Sequence, residues 1–259
     1  MELFFHKIYK GCFLHIITLK VQHSKIALLV FIRDTNEEIS SKPIFQGNYG
    51  KSKQLYSFLN KRIISVARST GLDYFVITSG DQRGENFAER FRNAFQFIFE
   101  KGYEAVISMG NDVPELNKNT LLDVADSIQS CDVVAGRTNL NGVYTLGLTK
   151  NSFLSVDFND VSWCSGNVVE SLIQHCNRKG LQIFSLRSVF HEINSRADLK
   201  IFIQRVQRKV LNFHAILFLI RLLYGHQIFI HRKHLLCSYF SISSFTIRGS
   251  PSFLFTSSR

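Results

Sequence analysis

The segment EAVISMGNDVPEL, residues 104–116, combines an apolar run with a polar loop in a way that decides the fold. Residues 105–109 predict a buried parallel strand, and Gly110 and Pro114 mark the turn that ends it. Asp112 would then lie at the carboxyl end of the strand, where open α/β sheets form their ligand crevice. A carboxylate there suits a divalent cation that carries phosphates, although an Asp in a Pro-containing turn is also ordinary turn chemistry.

Strand and helix patterns alternate on both sides of this segment. Apolar runs predict six strands, at residues 25–32, 73–79, 105–109, 131–136, 143–149 and 181–186. A polar loop is expected at residues 33–53, and helices with apolar positions three and four apart follow most of the strands. Helix caps are expected at Asn117, at Ser162 or Ser165, and at the Ser195–Asp198 pair. The pattern predicts a three-layer α/β/α domain with a mainly parallel sheet.

The composition indicates one globular domain with extensions at both ends. With 259 residues and 45% hydrophobic content, the chain can bury a full core. The net charge of +11 is uneven, because residues 25–200 hold 20 Lys/Arg against 19 Asp/Glu, while residues 201–259 hold 8 Lys/Arg and no acid. We expect an N-terminal extension at residues 1–24, an α/β domain at residues 25–200, and a basic, apolar C-terminal extension at residues 201–259.

The cysteines favour a reducing compartment. Five are present, an odd number, and none has the CxxC or Cys/His spacing of a structural zinc site. Reduced thiols in a cytoplasmic protein explain this better than a disulfide framework.

Four motifs, in order along the chain, resemble those of one family. They are QRGENFAERF (82–91), SMGNDVPEL (108–116), GRTNLNGVYTLGL (136–148), and VSWCSGNVV (161–169) with HEINSRADL (191–199). Together they are similar to the glycosyltransferase-A-like bacterial transferases of the radical-SAM/selenodomain-associated type, a domain family of unknown function. The resemblance covers residues 25–200 and implies a Rossmann-like, GT-A nucleotide-diphospho-sugar transferase fold.

The resemblance also implies a donor, a metal and a set of site residues. The partner would be a nucleotide or nucleotide-sugar donor, and the cofactor would be Mg²⁺ or Mn²⁺. The implied catalytic residues are Asp112 and Glu192, and the implied metal ligands are Asp112, Glu192 and Asn194. Residues expected to contact the nucleotide are Gln82, Gly84 and Asn111, together with Lys42, a loose substitute for the family's phosphate-contacting Lys-Thr-Arg, which the first loop lacks. Residues on the acceptor side are Tyr144 and Trp163.

Departures from the family pattern keep three functions open. Leu140, Asn141, Gly142 and Val143 stand where the family has Asp-Gly-Gly-Tyr, and Asn194 replaces a second aspartate. The sequence favours a metal-dependent transferase acting on a nucleotide-activated donor, most like a glycosyltransferase. The alternatives are a nucleotidyltransferase and a catalytically weakened domain kept for binding or scaffolding.

The C-terminal extension has two interpretations. Residues 210–224 are strongly apolar but shorter than the roughly 20 residues that span a bilayer. They form either a helix docked on the core or an interfacial helix flanked by basic residues. Those basic residues are Arg205, Arg208, Lys209, Arg221, Arg232 and Lys233. We predict peripheral contact of residues 201–259 with the anionic inner membrane, and we disfavour nucleic acid because no known binding motif accompanies the charge.

Overall fold

The structure is a computed structural model, and it describes residues 25–163, 165–206, 211 and 213–225. The chain divides into two compact units, Met1–Leu223 and Tyr224–Arg259, and the fold described below is that of the first. The predicted N-terminal extension and most of the predicted tail lie outside the described residues, as do Cys12, Cys164 and Cys237.

The core is one six-stranded sheet, and every predicted strand is confirmed. The strands are β1 (Ile26–Phe31), β2 (Asp73–Ile77), β3 (Ala105–Met109), β4 (Val133–Arg137), β5 (Val143–Thr149) and β6 (Ile183–Ser185), in the order β2-β1-β3-β5-β4-β6. β1 pairs in parallel with β2 and β3, and β4 pairs in parallel with β6. β5 runs antiparallel to β4, because the short turn between them can join only antiparallel neighbours, and it also pairs antiparallel with β3. The sheet is therefore mixed and mostly parallel.

Helices cover both faces of the sheet. They are α1 (Thr35–Ser41), α2 (Tyr49–Ser69), α3 (Phe87–Phe99), α4 (Lys118–Ser127), α5 (Lys150–Ser155), α6 (Val168–Arg178), α7 (Arg196–Arg205) and α8 (Phe213–Tyr224). Side chains of β1 alternate between the two layers, since Ala27 and Leu29 pack with α3 and α6, whereas Leu28 and Val30 pack with α2 and α4. This arrangement confirms the predicted three-layer α/β/α class.

Most of the predicted helix caps are confirmed. Asn117 accepts hydrogen bonds from the backbone at the start of α4, and Ser195 accepts one from Asp198 N at the start of α7. The Asp198 carboxylate accepts from Asn194 N in return, which completes a capping box. For α6 the prediction is wrong, because the residue at its N-cap is Asn167 instead of a serine.

The predicted loop at residues 33–53 is wrong, because it contains α1 and the first turn of α2. Asp34 stands at the N-cap of α1, and two glutamates follow in its first turn, where the helix dipole favours negative charge. The Asn48 side chain caps α2 by accepting from Lys51 N. The extra helix matters because it carries Glu38 and leads directly into Lys42.

A third apolar cluster joins α2, α7 and α8. It contains Leu55 and Leu59 of α2, Phe202 of α7, and Leu219 and Leu223 of α8. The described part of the apolar run thus docks on the core, and the predicted boundary at residue 200 falls inside α7. Across the described ranges, no helix is long and apolar enough to cross a membrane. The predicted membrane contact of the residues after 225 lies outside the described residues.

Candidate functional site

The carboxyl ends of the parallel strands meet at one edge of the sheet. Phe31 of β1 pairs with Ile77 of β2, and Val30 pairs with Met109 of β3, so the three strands end side by side. The chain runs from β1 to β2 on one side and then crosses to β3 on the other. The topological switch point therefore lies between β1 and β3, which is where ligands enter sheets of this kind.

A lysine and an aspartate face each other across this switch point. Lys42 Nζ lies 3.2 Å from Asp112 Oδ2 and 3.7 Å from Glu38 Oε1. The Lys42 and Asp112 side chains are 25% and 31% exposed, whereas that of Glu38 is 5% exposed. The Lys42–Asp112 pair thus lies next to the buried Glu38 carboxylate and is still accessible to a ligand.

Three hydrogen bonds fix the backbone of Lys42. Its amide donates to Glu38 O at 2.8 Å, and its carbonyl accepts from Ile44 N at 2.9 Å and from the Tyr56 hydroxyl at 2.5 Å. Burial raises the pKa of Tyr56 well above its ordinary value, with Glu38 adding to the shift, so the hydroxyl stays a neutral donor. These bonds fix where the lysine side chain starts.

The loop after β3 is fixed as well. Ile193 N donates to Asp112 O at 2.8 Å, and Arg62 Nε donates to Pro114 O at 2.7 Å. The Asn111 side chain is buried, and its Nδ2 donates to Asn60 Oδ1 at 2.6 Å. Asn111 therefore supports the loop, and its predicted nucleotide contact stays a prediction.

The charges around Lys42 keep it protonated. Burial by itself lowers the pKa of Lys42, but Asp112 and Glu38 outweigh it, so the pKa lies above the ordinary lysine value. Burial raises the pKa of Glu38, and Lys42 and Arg33 oppose that rise only in part. The site therefore presents an ammonium group beside the Asp112 carboxylate.

Glu192 lies at the same edge but has neutral partners. The Thr138 hydroxyl donates to its Oε1, and Asn194 Nδ2 donates to its Oε2 at 2.7 Å. Gly142 N donates to Thr138 Oγ1 at 2.9 Å, and a Cβ at Gly142 would overlap Glu192 Oε1. A glycine is required there for this close approach. Ile193 N on Asp112 O ties this segment to the loop after β3.

As arranged, the residues expected to hold Mg²⁺ or Mn²⁺ do not fit a divalent ion. Asp112 is paired with an ammonium group, and both oxygens of Glu192 already accept hydrogen bonds. Asn194 turns its amide nitrogen to Glu192, and its Oδ1 is buried without a partner. Of the residues that the structure describes, no three or more His, Cys, Asp or Glu form a group that could hold a metal.

Gln82 and Gly84 lie beyond β2, on the other side of β1 from Asp112. Gln82 Nε2 donates to Ile32 O at 3.0 Å, which joins the loop to the end of β1. Gly84 has φ +130°, and a Cβ there would lie 2.6 Å from Glu89 Cβ. Packing against the start of α3 explains this glycine, and the nucleotide contacts of both residues stay predictions.

Packing also accounts for the two residues expected on the acceptor side. Tyr144 is 2% exposed, its ring centroid is 4.7 Å from that of Phe190, and its hydroxyl donates to Ser188 O at 3.3 Å. Trp163 stacks on Phe158 at 5.6 Å between ring centroids, and its Nε1 donates to Phe158 O at 2.6 Å. Tyr144 belongs to the core and Trp163 to the edge of an aromatic cluster.

Sequence reasoning missed Glu38 and Thr138. Glu38 precedes Lys42 by four residues, a spacing that pairs charges on a helix, and Asp34 with Glu37 is the helix-start signal that reveals it. No local signal singles out Thr138, because its partner Glu192 is 54 residues away.

Comparison with known proteins supports this fold. Residues 70–165 match the family DUF2064, described as an uncharacterized protein conserved in bacteria. No curated protein matches the chain. A structure from Desulfovibrio desulfuricans G20, described as a "putative nucleotide-diphospho-sugar transferase", is 19% identical with a TM-score of 0.66 and covers 77% of this chain and 97% of its own.

Two more distant structures contain ligands. Rv0371c from Mycobacterium tuberculosis H37Rv, in complex with manganese, is 12% identical with a TM-score of 0.41 and covers 70% of this chain and 100% of its own. A CMP:2-keto-3-deoxy-manno-octonic acid synthetase complexed with CTP is 11% identical with a TM-score of 0.41. It covers 71% of this chain and 100% of its own. The chain thus has an α/β fold that resembles nucleotide-diphospho-sugar transferase structures, with a match to DUF2064 over residues 70–165.

Proposed function

We propose that this protein is a transferase that acts on a nucleotide-activated donor, with the chemistry of a glycosyltransferase-like enzyme. The observation that carries the proposal is the Lys42–Asp112 pair, partly exposed at the switch point between β1 and β3. Lys42 supplies positive charge for the donor's phosphates, and Asp112 supplies an acceptor for its hydroxyl groups.

A second cation lies at the other end of α1. Arg33 Nη1 is 3.8 Å from Glu38 Oε2, and the Arg33 side chain is 40% exposed. Two basic groups on the segment after β1 can face a diphosphate, whose charge attracts Arg and Lys side chains. The fold similarity to nucleotide-diphospho-sugar transferase structures supports this choice of ligand.

One observation favours a second candidate, a domain that binds the donor without transferring it. The family resemblance gives Glu192 a catalytic role, yet both of its carboxylate oxygens are held by Thr138 and Asn194. A carboxylate with both oxygens engaged is a poor base or nucleophile until those bonds break.

Thermal melting with a panel of nucleoside diphosphates, triphosphates and nucleotide sugars tests the proposal. At a hundredfold excess over its Kd, a ligand stabilises by about 2.7 kcal/mol, which raises Tm by roughly 5–10 °C for a domain of this size. We expect Asp112→Asn to lose the shift and Lys61→Met, at an exposed position of α2, to keep it.

Two outcomes decide between the candidates. Release of free nucleotide from a stabilising nucleotide sugar supports the transferase, whereas stabilisation without any release supports the binding domain. Melting curves that no compound in the panel changes would contradict both.

A further inference from the structure

We infer that the Lys42 ammonium group is the resident cation of this site and takes the place of a divalent metal ion at the Asp112 carboxylate. The inference about the metal rests on the geometry of the site. Its consequence for phosphate binding rests on the proposed function.

The fold builds the lysine into the cation position. Lys42 directly follows α1, one turn after Glu38, so both side chains are held on the same side of that helix end. The glutamate comes first, which is the favourable order for a Glu–Lys pair along a helix. With its carbonyl bound by Tyr56 and Ile44, the lysine reaches Asp112 from a fixed origin.

Carboxylates from two separate segments bind the ammonium group. Glu38 comes from α1 and Asp112 from the loop after β3, and both lie within ion-pair distance of Lys42 Nζ. The two carboxylates therefore face one cation, and that cation is a side chain of the protein.

A divalent ion cannot share this position with Lys42. Mg²⁺ binds oxygen ligands at about 2.0–2.1 Å in near-octahedral geometry, so an ion on Asp112 Oδ2 would lie close to an ammonium 3.2 Å from the same oxygen. Like charges at that separation repel strongly in a partly buried site. Moving Lys42 away would leave the buried Glu38 without this partner.

The same arrangement leaves one hydrogen-bond donor of Lys42 for a phosphate. An ammonium group has three N–H donors, and Lys42 has two carboxylates within ion-pair distance. The remaining donor, with the exposed part of Arg33, can meet a phosphate oxygen. Binding of the nucleotide-activated substrate at this site is then independent of divalent ions, resistant to a chelator and weakened by salt.

A titration with Mn²⁺ alone, followed by the electron paramagnetic resonance signal of the free ion, tests the metal part without any nucleotide. We expect weak binding to the wild type. Lys42→Met removes the competing charge and should bind one Mn²⁺ at least about tenfold more tightly. The double variant Lys42→Met with Asp112→Asn should lose that gain. Lys61→Met, which removes an exposed lysine from α2, should behave as the wild type.

One tight Mn²⁺ in the wild type, with no gain in Lys42→Met, would overturn the inference. If circular dichroism shows that Lys42→Met is unfolded, Lys42→Gln takes its place in the titration.

The wild type supplies an independent check. Any nucleotide that stabilises it should do so equally in EDTA and in Mn²⁺, whereas a shift that requires Mn²⁺ would overturn the inference. If no nucleotide shifts the melting curve, the proposed function fails, and the Mn²⁺ titration alone still decides whether Lys42 replaces the metal.

Discussion

The loop of Asp112 and the segment of Glu192 lie at one edge of the sheet and use the same functional group differently. Asp112 pairs with an ammonium group and is 31% exposed. Glu192 accepts from two neutral groups, one on Thr138 and one on Asn194. A charged partner near solvent can exchange for a ligand, whereas neutral hydrogen bonds in a partly buried network mainly hold structure. The partner of each carboxylate, more than its residue type, therefore indicates its role.

The Glu192 segment connects the turn between β4 and β5 to the start of α7. Through Thr138 it meets the turn between β4 and β5, and through Asn194 it meets the start of α7. Asn139 N also donates to Phe190 O at 2.9 Å. We expect changes in this segment to lower stability and changes at Asp112 to lower ligand binding.

Glu192→Ala should give the largest effect. It leaves the nearly buried Thr138 hydroxyl and the Asn194 amide without their acceptor, which should lower the free energy of unfolding by about 2–3 kcal/mol. Asp112→Ala should cost less than about 1 kcal/mol, because the ion pair is partly exposed and Lys42 keeps Glu38. Urea denaturation measures both, with Glu100→Ala at the exposed end of α3 as control. Equal losses at the two sites would show that Glu192 contributes no more to stability than Asp112.

Gly142→Ala should disturb the Glu192 segment without removing a carboxylate. The added Cβ would overlap Glu192 Oε1 and lie 3.0 Å from Thr138 Oγ1, so the glutamate must give up its bond to the threonine. We expect a loss of about 1–2 kcal/mol in the free energy of unfolding. Gly166→Ala is the matched control, since a Cβ there meets nothing within 4 Å. A loss no larger than that of the control would show that Glu192 is free to move.

The smallest expected effect is the pH dependence of stability that comes from Glu38, which lies beside the Lys42–Asp112 pair. Burial raises the pKa of Glu38 in the folded state above its ordinary 4.5, so the folded protein holds this proton more tightly than the unfolded chain. The resulting stabilisation is present below pH 4.5 and is lost as the pH rises through the folded pKa. The free energy of unfolding of the wild type should therefore fall relative to Glu38→Gln between acidic and neutral pH. A difference in the free energy of unfolding between the wild type and Glu38→Gln that stays the same at every pH would contradict this.

Much of the fold was predictable because the sheet is buried on both faces. Its central strands appear as short apolar runs, and the turn after β4 is too short for anything but antiparallel neighbours. Helix α1 was missed because its seven residues, TNEEISS, contain one apolar side chain and show no helical periodicity. Its capping signals were the only local sign of it.

The site was predictable only in part. The end of the apolar run at Met109 placed Asp112 at the carboxyl edge, and the order of the motifs placed Glu192 after the last strand. The family resemblance implies an acceptor-side position for Tyr144, yet its ring is buried in the core against Phe190. Both faces of this strand are covered, and only the packing of the segment around Phe190 against the Tyr144 ring decided that the ring is buried.

Local patterns in the sequence by themselves determined the strands, most of the helices and the edge where Asp112 lies, because these follow from the periodicity of apolar residues and from turn chemistry. Only the tertiary structure decided that Asp112 faces Lys42, 70 residues away, and that Glu192 faces Thr138, 54 residues away. Such pairs depend on which strands become neighbours and on how the loops between them fold back. No local pattern encodes that, because it is selected by the burial of the whole core.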